Sequence, residues 1–236
     1  MSPALTRRSL LFGSASLIAM AQDLKPVISV VDHLLLGTAD LDGGIDWVEQ
    51  RSGVRAAIGG VHPGAGTRNA LLSLGTGHYL EIIAPDPAQT DAKDERHLRE
   101  LSSPRLITVA LTTNNIDSIV AKARKARLEV SGPRDGSRRL PSGKILRWQM
   151  LTIANDLGDG PIQPVPFFIQ WAPDSPHPSS DSPQGCVLES LEFGHPDPPR
   201  LNLIFEALGL DADVAARGEV RIVARLKTPN GPLELS

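Results

Sequence analysis

Apolar residues in this 236-residue chain follow two rhythms. Short runs rich in Val, Ile and Leu, bounded by Gly, Pro or Asp, carry the period of two expected of strands. Between them, apolar positions recur every three or four residues, as on the buried face of a helix. Three stretches share one order: an apolar strand, an Asp or Asn, an amphipathic helix, and a small residue where the chain turns back. In residues 31–53, Asp40 caps a helix carrying Leu41, Ile45 and Val48 on one stripe. In residues 106–128, Asn115 precedes Ile116, Ile119, Val120 and Ala123. In residues 187–210, Asp197 is followed by Pro198 and then by Leu201, Ile204, Phe205 and Leu208. Asp and Asn side chains accept hydrogen bonds from the free N–H groups of a first helical turn, and Pro suits its first position. Repetition of this kind argues for duplicated modules.

Each helix is followed by more strand signals. Residues 69–74 and 78–83 are joined by the short link Gly75-Thr76-Gly77, as in a hairpin. Residues 145–153 and 167–171 follow the second helix, and 220–226 and 233–235 follow the third, around the turn Pro229-Asn230-Gly231-Pro232. The chain therefore reads as α+β, with βαβ(β)β units laid end to end and mainly antiparallel pairing. Residues 85–100 are polar and charge-dense, and 155–166 and 173–184 are loops rich in Gly, Pro, Ser and Asp. The predicted organisation is a leader over 1–21, paired modules over 27–175, and a third, degenerate βαββ module over 186–236.

Composition narrows the function. With 41% apolar residues the chain can bury a full core, and scarce aromatics leave Leu, Ile, Val and Ala to fill it. A formal charge of −3 leaves no electrostatic footprint for nucleic acid. Arg7 and Arg8 precede an apolar run over residues 10–21, which is too short for a membrane span of ~20 residues. It ends in Ala19-Met20-Ala21, the small-x-small pattern of a cleavage site. Paired arginines resemble a twin-arginine export signal, so the expectation is an exported, periplasmic protein with no stable membrane insertion of the mature chain. Cys186 is the single cysteine, so no intrachain disulfide forms; it reads as a small buried hydrophobe.

The candidate chemistry lies on two strands. His33 in Val31-Asp32-His33-Leu34 and Glu81 in Tyr79-Leu80-Glu81-Ile82-Ile83 can point the same way, because strand side chains alternate between two faces. In one sheet they would set an imidazole and a carboxylate into one hollow, as half of a divalent-metal site or as an acid and a base. Gly59-Gly60-Val61-His62-Pro63-Gly64-Ala65-Gly66-Thr67-Arg68 lacks the Gly-Lys-Ser/Thr ending of a phosphate loop. It reads instead as a loop delivering Arg68 and Asn69 to the rim, with Arg68 positioned to hold a substrate carboxylate. Arg134, Arg138, Arg139, Lys144 and Arg147 make one segment basic; a solvated hairpin accounts for Arg134, Arg139 and Lys144, whereas Arg147, on a strand face shared with Gln149, is a candidate anion contact. No Gly-x-Ser-x-Gly elbow is present, which disfavours a serine hydrolase.

These pieces together resemble the glyoxalase-like domain family of the vicinal oxygen chelate superfamily. The segments that carry the likeness are Val31-Asp32-His33-Leu34, residues 62–72, Tyr79 to Pro85, Gly136-Ser137-Arg138, Pro141-Ser142-Gly143, Leu146-Arg147-Trp148 and Ser175-Pro176-His177-Pro178. The resemblance implies tandem βαβββ modules that curl into a cupped sheet around a site. It also implies a small-molecule substrate, allows a homodimer, and in metal-using members assigns a divalent ion to a His on the first strand and a Glu on the last. His33 and Glu81 match those two positions. The second module departs from a four-ligand pattern: Thr108-Val109-Ala110 stands where a His is required, and its last strand offers Gln170. The third module has Ser190 at that place. His177, His62 and Gln170 are the remaining candidates to complete a shell. The expectation is a lyase, isomerase or dioxygenase acting on an anionic oxygenated compound, with a ligand-sequestering protein of the same fold as the alternative.

Overall fold

In a computed structural model, residues 24–94, 96–139, 143 and 145–236 are described. The leader over 1–21 and the residues Pro141, Ser142 and Lys144 lie outside that set. The first module runs β1 (Val31–Gly37), α1 (Leu41–Ser52), β2 (Ala57–His62), β3 (Thr67–Ser73) and β4 (Tyr79–Pro85). The second repeats it as β5 (Arg105–Thr112), α2 (Ile116–Lys125), β6 (Val130–Arg139), β7 (Ile145–Ile153) and β8 (Phe167–Trp171). The third contains β9 (Val187–His195), α3 (Pro198–Leu208), β10 (Val214–Ala216), β11 (Arg221–Thr228) and β12 (Gly231–Leu235).

All three helices begin where the capping residues predict. Asp40 accepts from the Gly43 N–H, Asn115 from Ser118 and Asp197 from Arg200. Gly53 and Gly209 end α1 and α3 in the left-handed conformation that glycine adopts without a Cβ penalty.

Ten elements of the first two modules build one eight-stranded sheet and two covering helices. The strand order is β2-β3-β4-β1-β5-β8-β7-β6, so each module contributes four neighbours and the halves mirror one another. The antiparallel pair β1–β5 joins them, and only β1–β4 and β5–β8 are parallel. The sequence reading missed β2 and β6. Gly59-Gly60 dilutes the pattern of the first, and Gly132-Pro133 and Gly136 that of the second. Both are the sheet's outermost strands, where Gly and Pro are tolerated because one edge needs no ladder partner. They approach each other as the sheet curls, which makes the cup.

Alternation sorts each strand between two buried faces. Leu34, Leu36, Leu80, Ile82 and Val109 turn outward to the helices, into a core that also takes Phe193, Leu201, Phe205 and Leu208 of the third module. His33, Leu35, Glu81 and Ile83 turn into the cup. The third module forms its own four-stranded sheet, β10-β9-β11-β12, and closes this outer core. Truncating a fully buried leucine such as Leu34 costs about 2–5 kcal/mol. The helix-bearing face thus supplies stability, and the concave face is left for chemistry.

Candidate active site

The cup encloses a cavity of about 870 Å³ with His33, His62, Asn69, Tyr79, Glu81 and Arg138 on its polar side. His33 Nε2 lies 3.4 Å from Glu81 Oε2, and both side chains are buried. Parallel pairing sets His33 beside Tyr79, and Glu81 is two residues further along the same face of β4. The convergence predicted for positions 33 and 81 is therefore present.

His33 is held from behind. The β1–β5 register slips between Val31 and His33, so Asp32 is the extra residue of a β-bulge. A bulge re-aims side chains, and here it lets Asp32 reach its own neighbour: His33 Nδ1–H donates to Asp32 Oδ1 at 2.7 Å. Trp171 Nε1–H and His177 Nε2–H donate to the other oxygen, at 2.8 and 3.2 Å. Burial pushes the Asp32 carboxyl up, but the bonds from His177 and His33 outweigh it and hold the group well below the usual carboxylate range. An ionised Asp32 can only accept, so it fixes Nδ1 of His33 as protonated and leaves Nε2 to face Glu81. The Tyr79 ring stacks on the imidazole at 4.4 Å and completes the clamp.

Glu81 has its own support. Asn69 Nδ2–H donates to Glu81 Oε1 at 2.7 Å, and Arg138 Nη1–H donates to Asn69 Oδ1 at 3.1 Å. The second contact crosses from β6 to β3, between the two modules. Gly59 makes room for it, since a Cβ there would lie 2.4 Å from Asn69 Oδ1 and 2.6 Å from Arg138 Nη1. Burial pushes the Glu81 carboxyl up, yet His62, His33, Asn69 and Arg96 leave it below its ordinary 4.5. His62 sits 3.6 Å from Glu81 Oε1, and its Nδ1 pairs with Thr67 Oγ1 at 2.8 Å. Burial drives His62 below 6.5, with Arg138 and Arg96 adding to the effect against Glu81. At neutral pH the floor therefore holds an ionised Glu81 beside a neutral His62. Tyr79, pushed well above 10 by burial, keeps its phenolic proton.

Four expected site residues are elsewhere. Arg68 alternates with the inward Asn69 and turns to the outer face, 3.9 Å from Asp40, so it is no substrate clamp. Arg147 likewise faces away, exposed and paired with Asp174, because Trp148 and Met150 are the residues of β7 that enter the cup. Gln170 turns from the cavity, and its Oε1 accepts the Ile116 N–H at the start of α2. His177 does not line the cup; it bonds Asp32 and packs edge-on against Tyr79 and Trp171. In contrast, Asp32, Arg138, Trp148 and Trp171 belong to the site without having been singled out for it. Asp32 was legible as the acid next to His33, and Trp148 and Trp171 as cup-facing partners by alternation; Arg138 depends on closure of the two sheet edges, which no local pattern encodes.

The residues do not fit a complete metal shell. Among the described residues, no group of three or more His, Cys, Asp or Glu side chains is arranged to hold an ion. The second-module half of the cup offers Phe167, Ile169 and Trp171 where donors would be needed, and Glu81 Oε1 is occupied by Asn69. Arg138 and Arg96 bring positive charge to the same floor, which disfavours a further cation and favours an anion.

Residues 31–209 match the family model described as a glyoxalase-like domain. No curated protein matches the sequence. Among solved structures, a hypothetical protein from Staphylococcus aureus aligns at a TM-score of 0.59 and 20% identity, over 86% of this chain and 83% of that one. Methylmalonyl-CoA epimerase from Mycobacterium tuberculosis aligns at 0.45 and 19%, over 63% and 91%. A Streptomyces coelicolor methylmalonyl-CoA epimerase variant aligns at 0.45 and 16%, over 65% and 99%.

Proposed function

Because the chain belongs to the glyoxalase-like domain family of the vicinal oxygen chelate superfamily, we propose that it is an enzyme of the isomerase or lyase type, moving a proton on a small anionic oxygenated substrate. The observation that carries this reading is the His33–Glu81 pair, 3.4 Å apart at the floor of a cavity, with His33 oriented by a buried carboxylate. An ionised Glu81 takes a proton from a carbon next to a carbonyl. That proton passes to Nε2 of His33, 3.4 Å away and left free by the Nδ1–H bond to Asp32, and is delivered from there to the neighbouring atom of the substrate, while the protonated Tyr79 donates toward the developing oxyanion. Arg138 and Arg96 bias the cavity toward anions. Of the lyase, isomerase and dioxygenase chemistries expected from the family, proton transfer is the one these side chains serve with no further group.

The leader over 1–21 would place this activity in the periplasm. Secretion of a reporter fused to the leader, abolished by Arg7→Lys with Arg8→Lys, tests the location. For the reaction itself, a panel of 2-oxo and 2-hydroxy carboxylates incubated in D2O tests proton transfer, since exchange at the carbon next to the carbonyl should require Glu81. The apolar second-module wall favours one other reading, a protein that sequesters its ligand without turnover. Ligand binding that is unchanged in Glu81→Gln, with no exchange by the wild type, would support it.

A further inference from the structure

The two halves of the cup differ in chemistry. The first module lines its floor with titratable groups, whereas β7 and β8 of the second line it with Phe167, Ile169, Trp171, Trp148 and Met150, and β6 of the second adds Arg134 and Arg138. Two of the chain's three tryptophans therefore lie half-buried on the wall of a single cavity. Each is fixed. Trp171 donates its indole N–H to Asp32, so its ring cannot turn without unpairing a buried carboxylate. Trp148 stands opposite Gly136 on β6, where a Cβ would lie 2.4 Å from indole atoms Cε2 and Nε1; the ring lies against the bare backbone of that glycine. The two rings sit 5.4 Å apart at 59°, so they form an angled apolar wall. Rigid aromatic faces left partly open inside a cavity are the usual means of holding a flat apolar body at low entropic cost.

Basic side chains border the same cavity. Lys93, Arg96, Arg134 and Arg138 border the cavity against Asp91, Asp94 and Glu81. Asp94 already accepts the backbone N–H groups of Leu98 and Arg99. Arg134 and Arg138 flank Gly136 on the face of β6 that meets Trp148, so an anionic group drawn to these basic side chains leaves the rest of the molecule along the tryptophan wall beside them.

We infer that the ligand of this cup is a carboxylate bearing a flat apolar body, such as an aryl group: the body lies on Trp148 and Trp171, and the carboxylate faces Arg138 and the basic rim. This rests on the reading of the cup as an anion site, and adds the body that the anion carries. The volume of about 870 Å³ leaves space for such a molecule.

Calorimetric titration of the full chain with 3-phenylpropanoate, propanoate and 3-phenylpropanamide separates the two halves of the claim. The wild type should bind 3-phenylpropanoate at least about tenfold more tightly than either relative, a factor worth about 1.4 kcal/mol. Trp148→Ala should remove most of the preference for the ring and keep that for the charge. Arg138→Gln should do the reverse. Wild-type comparison of acid with amide carries the charge argument even if Arg138→Gln fails to fold. Equal binding of propanoate and 3-phenylpropanoate, equal binding of acid and amide, or binding of none of the three overturns the inference. Glu81→Gln isolates the catalytic reading: if proton transfer is wrong, the binding preferences stand with no reaction to lose.

Discussion

Asp32 and His33 are neighbours in sequence, and a β-bulge turns them into partners: Oδ1 of the first accepts Nδ1–H of the second at 2.7 Å inside the protein. Adjacent strand residues ordinarily point to opposite faces. Here the extra residue breaks that rule, and a buried acid orients the base beside it.

Replacing Asp32 with Asn should therefore harm catalysis more than binding. The amide offers His33 a donor as well as an acceptor, so the ring can settle with the wrong nitrogen protonated. Turnover should fall on the order of 10²–10⁴-fold, with stability lowered by about 3 kcal/mol because three donors lose a buried charge. Chemical denaturation gives the second number and steady-state kinetics the first. Asp32 is a positioning residue, so the pH dependence of turnover should change shape in the variant. A uniform loss with an unchanged profile would assign it a structural role alone.

Acid should weaken the fold through the same groups. Asp32 and Glu81 both have folded values below their ordinary 3.8 and 4.5. The unfolded chain binds more protons over that interval, so stability is complete above about 4.5 and is lost as pH falls toward the lowered folded values. His62, lowered from 6.5, has the same sign: its contribution is full above 6.5 and declines as pH drops below it. Denaturation midpoints between pH 7 and 3 should fall continuously in the wild type. His62→Gln should flatten the upper part of that slope, and Asp32→Asn the lower.

Gly59→Ala should act at a distance of one strand. Its methyl group would displace Asn69 or Arg138, breaking the contact that ties the two modules together over Glu81. Affinity for anionic ligands should drop about tenfold, equivalent to one charged hydrogen bond of ~1.5 kcal/mol. The fold, measured by far-ultraviolet circular dichroism, should persist. Unchanged affinity would mean that the Arg138–Asn69 bond does not organise the site.

Exhaustive dialysis against a chelator should leave the melting temperature and ligand affinity where they were, since among the described residues no complete donor set faces the cup. His177→Ala should lower stability by about 1.5–3 kcal/mol through its bond to a charged acceptor. A stoichiometric divalent ion that His33→Ala or His177→Ala removes would contradict both expectations.

Much of this fold was legible because local chemistry and tertiary packing agree. Asp40, Asn115 and Asp197 cap helices that the apolar stripes also mark, and period-two alternation puts His33 and Glu81 on one face. The errors have equally physical causes. β2 and β6 are edge strands that carry Gly and Pro, so their signal is that of loops. Arg68, Arg147 and Gln170 each lie one residue from an inward-facing position, and a one-residue shift turns a strand side chain to the other face. The side chain of His177 does converge on the site without lining the cup, on a carboxylate that the alternation rule alone would direct elsewhere. Arg138 could be placed only once the two outer strands were known to meet.

Deuterium incorporation from D2O, followed by proton nuclear magnetic resonance on a panel of 2-oxo carboxylates that includes aryl-substituted members, tests the central claim most directly. The wild type should catalyse exchange at the carbon beside the carbonyl for at least one of them. Glu81→Gln and His33→Ala should each reduce that exchange at least about 10²-fold while still folding. Exchange that survives both substitutions, or a wild type that exchanges none of the panel, would contradict a proton-transfer site built on His33 and Glu81.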